Sequence, residues 1–78
     1  MNLIYSDNKN HLPVNIDTLL YLKDGRNNGY TDIDFQLNDG HGVTTVTWDC
    51  DSEEEVGILI EKVKAHCQAT NISTYTTL

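Results

Sequence analysis

Tyr30-Thr-Asp-Ile-Asp-Phe-Gln-Leu37, Asn38-Asp-Gly-His-Gly42, Val43-Thr-Thr-Val-Thr-Trp-Asp-Cys50 and Asp51-Ser-Glu-Glu-Glu-Val56 follow one another without a break. Their periodicities predict a β-hairpin that feeds an amphipathic helix. Ile33, Phe35 and Leu37 alternate with Asp32, Asp34 and Gln36, and Val46, Trp48 and Cys50 alternate with Thr45, Thr47 and Asp49. This is the pattern of strands buried on one face. Asp39-Gly40 tolerates the positive φ of a tight turn. Slipping the register by one residue would turn every side chain to the other face, so a loop at 39–40 or at 39–42 is allowed and a three-residue loop is not. The longer loop sets Phe35 against Val46 and Ile33 against Trp48, but brings Asp32 opposite Asp49. The shorter one avoids that like-charge pair and matches apolar groups less well. Both remain open on pattern alone.

The helix has a distinct start. Ser52 followed by Glu55 is a capping box, and Asp51, Glu53 and Glu54 fall at the positive end of the helix dipole. Lys62, Lys64 and His66 suit the opposite end. Val56, Leu59, Ile60, Val63 and Cys67 recur at helical spacing, a single stripe able to cover the Phe35 and Trp48 face of the sheet. Gly57 interrupts the helix at a cost of about 1 kcal/mol relative to alanine. Either a neighbour approaches closely there or the position is unoptimised.

Before the hairpin, residues 2–7 read as a short strand ending in the turn-like Asn8-Lys-Asn-His11. From Pro13, which opens an element at a sheet edge, Val14, Ile16, Thr18, Leu20 and Leu22 share one parity against Asn15, Asp17, Leu19, Tyr21 and Lys23. A break within 15–19, with a helical turn starting at Asp17, also fits. Residues 23–30 form the most turn-rich stretch and carry neither of the glycine patterns of phosphate loops. Residues 71–78 have high β propensity. The expected fold is α+β, one small acidic domain over 1–78: an antiparallel sheet of three to four strands with an amphipathic C-terminal helix on one face, and room for an extra strand in the tail.

Seventy-eight residues with a formal charge of −7 bury only about 60–65% of the surface exposed on unfolding, so the core is thin. No apolar run nears the roughly 18–20 residues of a membrane span, and the start lacks the features of a secretory signal, which together predict a cytoplasmic protein. Cys50 and Cys67 read as two small buried hydrophobes. A bridge between them is disfavoured, since the helix carries Cys67 about 20 Å or more from its own start.

Acidity disfavours direct nucleic-acid binding, which is built on Lys and Arg, and favours basic protein partners. Between Asn27 and Glu61 the chain has nine acids and no Lys or Arg. Asp32, Asp34, Asp49, Asp51, Glu53, Glu54 and Glu55 would form a continuous anionic surface on the outer sheet face and the helix start. Ile58 and Tyr21 are the apolar candidates beside it. Solvated acids at a helix start and on an outer sheet face are also expected on general grounds. His11, His41, His66, Cys50 and Cys67 show no zinc-ligand spacing, the acids lack the spacing of a calcium loop, and no nucleophile is bracketed by a base. No cofactor and no enzymatic activity are expected.

Leu37-Asn-Asp-Gly40, the Val-rich strand, the acidic cap Asp49-Cys-Asp-Ser-Glu-Glu-Glu55 and the helix together resemble, over about half of the chain, small acidic phage-encoded anti-CRISPR proteins. Some of those imitate DNA with acidic faces. The resemblance implies an inhibitor acting in the host cytoplasm on a basic, nucleic-acid-handling partner, with the seven acids above as contacts. Asn15-Ile-Asp-Thr-Leu19, the strand pair and Ser52-Glu-Glu-Glu55 are also similar to the FlbD-type small flagellar protein over residues 12–67, with departures in the Asp24–Gly29 loop and after Cys67. That second resemblance implies a fold. The alternative function is a structural or assembly domain that pairs strands with another chain, through the edge near Pro13–Leu22 or the C-terminal strand.

Overall fold

The hairpin closes through the four-residue loop. In the computed structural model, which describes residues 3–69, β4 (Asp32–Asn38) pairs antiparallel with β5 (Val43–Asp49). Ile33 faces Trp48, Phe35 faces Val46 and Asp32 faces Asp49. Side chains hold the loop: the Asn38 amide oxygen accepts from Gly40 N–H and the Asp39 carboxylate from His41 N–H. Gly40 and Gly42 take φ of 90° and 143°, a region in which a Cβ would be strained. The Thr44 hydroxyl donates to Asp39 at 2.6 Å, and these bonds hold the Asp39 carboxyl below the usual carboxylate range.

The architecture is α+β. A two-stranded sheet joins β1 (Leu3–Ile4) to β2 (Val14–Asn15), and a three-stranded antiparallel sheet runs β3 (Leu19–Asp24), β4, β5. α1 (Glu53–Ala69) follows. Ser52 caps it, its hydroxyl accepting from Glu55 N–H at 3.1 Å. Val56, Leu59, Ile60, Val63 and Cys67 are all buried in one cluster with Ile33, Phe35 and Trp48. No helix among the described residues is long and apolar enough to cross a membrane. The strand expected at 71–78 lies outside the described residues.

One expectation is corrected. Leu20 does not share the inward face with Leu22; it is 38% exposed, while Leu19 is 3% exposed. A 3₁₀ turn at Ile16–Thr18, capped by the Asn15 side chain, resets the chain before β3. Then Leu19 pairs with Leu37 and Tyr21 with Gln36, which leaves Leu20 as the extra residue of a bulge. The break weighed at 15–19 is the one that occurs.

Trp48 is the hub of the core. It is fully buried and meets Phe35 edge to face with ring centres 4.7 Å apart. His11 stacks on it at 5.1 Å. Its indole N–H donates to the Leu12 carbonyl at 2.8 Å. His11 Nε2 donates to the Asp49 carbonyl at 2.6 Å, and Nδ1 meets the Ser6 hydroxyl at 2.5 Å. The N-terminal segment is thereby fastened across the end of the hairpin.

Gly57 has a structural reason. An added Cβ would lie 3.0 Å from Nη1 of Arg26, whose guanidinium bonds the Asp24 carboxylate and reaches the Glu53 carbonyl at 3.4 Å. Arg26 belongs to a second 3₁₀ turn, Gly25–Asn28, which ends at Gly29 with φ 83°. The close neighbour is therefore a side chain, held in place by an ion pair. Substituting Gly57→Ala in an Arg26→Ala background should stabilise the fold by about 1 kcal/mol, the full helix-propensity gain. In the parent background the gain should be visibly smaller, and urea unfolding of the four proteins of this cycle measures the difference.

Candidate interaction surface

β4 supplies the centre of the outward sheet face and its neighbours supply the flanks. Asp34 lies between Lys23 of β3 and Thr47 of β5, and Gln36 lies between Tyr21 and Thr45. The Thr47 hydroxyl donates to Asp34 at 2.7 Å and the Thr45 hydroxyl to Gln36 at 2.8 Å, so both β4 side chains are braced from the same strand. Tyr21 is half-buried here. Lys23 is a cation that the sequence run from Asn27 to Glu61 left out; strand pairing brings it back into the middle of the acidic face.

Asp32 and Asp49 are direct cross-strand partners at the helix end of the sheet. Asp32 is half-buried over Gly25, where an added Cβ would collide with its carboxylate oxygen. Partial burial first, and then the charges of Asp34 and Asp49, push its carboxyl above the ordinary range. The chain then turns directly into the helix. Cys50 N–H donates to the Thr31 carbonyl at 2.8 Å, and the Thr31 hydroxyl donates to the Cys50 carbonyl at 3.1 Å. Exposed Asp51 follows directly on this strand end, and exposed Glu53 and Glu54 stand beside Arg26, whose guanidinium reaches the Glu53 carbonyl and shares the lining of a groove with Glu54.

Two of the nine candidate residues lie elsewhere. α1 covers the inner face, so Ile58, 61% exposed, looks out of the layer opposite to Tyr21. Glu55 is half-buried and its carboxylate lies against the Cys50 thiol. It lines a cavity of about 170 Å³ between α1 and the segment from Ser6 to His11. On the other flank of Ile58 runs an open groove of about 780 Å³ edged by the pairs Asp24 with Arg26 and Glu61 with Lys64. The surface is therefore a sheet-face group (Tyr21, Asp32, Asp34, Asp49) and a helix-tip group (Asp51, Glu53, Glu54), with Glu55 and Ile58 around the corner.

The cysteines are reduced and buried. Burial, the Glu55 carboxylate and the charges of Asp49 and Asp32 push the Cys50 thiol up to about 12, and burial raises Cys67. Such thiols stay protonated at neutral pH and are poor nucleophiles. Among the described residues no group of three or more His, Cys, Asp or Glu side chains is arranged to hold a metal ion. Sequence reasoning missed Arg26 and His11 as organisers of the neighbourhood; the helix-interior glycine was the signal for the first, and nothing local signals the second. No family model, curated protein or solved structure matches the chain.

The raised Asp32 carboxyl means that the folded state binds its proton more tightly than the unfolded chain does. Asp32 therefore removes stability as pH rises through the unfolded and then the folded value. Asp24 behaves oppositely: the Arg26 guanidinium holds it below the ordinary range, so its contribution is present above the unfolded value and is lost as pH falls through the folded one. Asp32→Asn should raise stability at pH 7 by roughly 0.2–1 kcal/mol, with the gain vanishing at acid pH. Thermal melts of parent and variant across pH 3–7 check both the sign and the window.

Proposed function

We propose that the protein is a non-enzymatic binding module that offers an acidic face to a basic protein partner, and that it inhibits a nucleic-acid-handling machine by occupying the surface meant for phosphates. The observation that carries this reading is the apposition of Asp32 and Asp49, with Asp34 beside them and Asp51, Glu53 and Glu54 at the adjoining helix tip. Like charges directly opposite across strands are destabilising, and here burial of Asp32 adds to the cost. A cationic partner would relieve that cost on contact. Of the cations nearby, Arg26 pairs with Asp24, Lys64 with Glu61 and Lys62 with the Tyr5 carbonyl, while Lys23 stands opposite Asp34 on the face itself. Long-range attraction would speed association more than it would deepen affinity.

A second reading has its own observation. Among the described residues β5 pairs on one side only, with β4, and Val43-Thr-Thr-Val-Thr-Trp48 contains no Lys or Pro to discourage addition of another strand. An assembly role through that edge would depend weakly on salt. The acidic-face reading predicts the reverse, because the screening length falls from about 10 Å at 0.1 M to about 3 Å at 1 M.

Affinity capture from host lysate at both salt concentrations separates the two readings. The quadruple variant Asp32→Lys, Asp34→Lys, Glu53→Lys, Glu54→Lys should keep the circular dichroism spectrum and lose the partner that the parent releases in high salt. A variant that retains this partner at parental affinity would rule out the acidic face.

A further inference from the structure

We infer that the open edge of β5 pairs with the same edge of a second copy of this chain, antiparallel about a two-fold axis at Thr45; the inference rests on the edge reading above and names its partner. The hairpin's own hydrogen bonds identify the groups available. Cys50 N–H donates to the Thr31 carbonyl at one end and Asp39 N–H to the Gly42 carbonyl at the other. Hydrogen-bonded pairs recur at every second residue of an antiparallel ladder, so between these closures they are Ile33 with Trp48, Phe35 with Val46 and Leu37 with Thr44. The backbone groups of Thr44, Val46 and Trp48 therefore point at β4, and those of Val43, Thr45, Thr47 and Asp49 point off the sheet. His11 Nε2 already holds the Asp49 carbonyl, so the N-terminal segment closes the edge at that end. Among the described residues nothing pairs with the remaining backbone N–H and C=O groups, those of Val43, Thr45 and Thr47.

That spacing points to both the occupant and the register. Centred on Thr45, Val43 meets Thr47 of the second copy, Thr45 meets Thr45 and Thr47 meets Val43, each pair exchanging two N–H···O bonds. A centre at Val46 would need the Asp49 carbonyl that His11 holds, and a centre at Thr44 would leave Thr47 opposite the turn. In the chosen register every pair is β-branched, a kind that packs well across strands. None is charged, in a chain of net charge −7 whose copies otherwise repel each other. Asp49 falls beyond the paired stretch, level with His41 in the turn of the second copy and not with another acid. The opposite edge of the sheet is guarded, since β3 carries a bulge at Leu20 and a lysine at 23, both of which discourage strand addition. On β5, Val43, Thr44, Thr45 and Thr47 are exposed, so the edge is accessible along its length. The product is one continuous sheet through both copies. It puts the two Asp32 and Asp49 corners on the same face, about 27 Å apart along the strands at roughly 3.4 Å per residue.

So short a pairing buries less than a standard interface, so the dimer forms at high micromolar to millimolar concentration. Sedimentation velocity and amide hydrogen exchange of the full chain are measured from micromolar to millimolar protein. Expected are a mass that rises toward the dimer and protection of the Val43, Thr45 and Thr47 amides that grows with it and is lost on dilution. The Thr44, Val46 and Trp48 amides should stay protected throughout. In a mixture of labelled and unlabelled protein, Hα of Thr44 should show a nuclear Overhauser contact to Hα of Val46 of the second copy. Thr45→Pro removes an N–H that β4 does not use, so it should abolish the dimer and keep the circular dichroism spectrum of the monomer. Thr45→Lys sets like charges face to face at the axis and should raise the dissociation constant about fivefold, although it reduces the net negative charge; it carries the test where the proline variant misfolds. A monomer at every concentration, a dimer in which those three amides stay unprotected, a contact in another register, or a dimer indifferent to the folded variants would overturn the inference. Protection that persists in the dilute monomer would mean that the chain covers its own edge, and would overturn it as well. A strictly monomeric chain that still captures a partner from lysate in high salt would lose the dimer and keep the edge reading, so the two failures are distinct.

Discussion

The pairing of Ile33 with Trp48 and of Phe35 with Val46 is the constraint on which the rest of this molecule depends. Strand side chains alternate with period two, so turning these four groups inward sets which residues stand outside, and matching Ile33 with Trp48 then brings Asp32 opposite Asp49. Each well-matched cross-strand apolar pair adds about 0.2–1 kcal/mol, and two such pairs stand against one like-charge contact between the half-buried Asp32 and the exposed Asp49. Apolar matching carries the register against the electrostatics. It does not dictate that both outward positions be acidic, since asparagine at either would keep the same core.

Trp48 transmits that register to the far end of the chain. Phe35 meets one part of the indole, His11 stacks on its plane, and the ring N–H is satisfied by the Leu12 carbonyl. His11 in turn has its Nε2–H committed to a carbonyl that can only accept, so in the neutral ring Nδ1 accepts a hydrogen bond from the Ser6 hydroxyl. Residues 6–12 are thus placed by the core rather than by β1 and β2, which pair over only two residues each. The wall of the small cavity is a consequence of the same packing that sets the acidic face.

Much of this was legible in the sequence because it is local and periodic. The hairpin parity, the Ser52 cap and the stripe from Val56 to Cys67 each need only neighbours within a turn or a strand. Choosing between the two loops needed the balance of apolar pairing against charge repulsion. The parity of β3 failed because a 3₁₀ turn and a bulge each add an offset that alternation cannot carry. Lys23 in the acidic face, Arg26 over Gly57 and His11 on Trp48 are contacts between distant segments and leave little local trace. Glu55 is intermediate: it precedes Leu59 by four residues and so shares its flank of the helix, which already places it toward the interior, although the run of three glutamates reads as one exposed block.

The distribution of charge limits how a partner can engage. The sheet face and Ile58 belong to opposite layers, and the acids of the helix tip are where those layers meet. A flat basic surface can touch Asp32, Asp34 and Asp49, or the flank of Ile58, but not both. Charge alone would favour the sheet face, yet Lys23 opposite Asp34 weakens its centre and moves the strongest anionic field toward the Asp32, Asp49 and helix-tip corner. At physiological ionic strength that field reaches about 8 Å, enough to orient an approaching cation and too short to hold a complex. Affinity then has to come from groups that exclude water at close range. The Ile58 ridge lies around the helix tip from that corner and Tyr21 lies farther along the sheet, opposite Gln36, so only a partner concave enough to wrap the helix tip can use the acids together with the ridge.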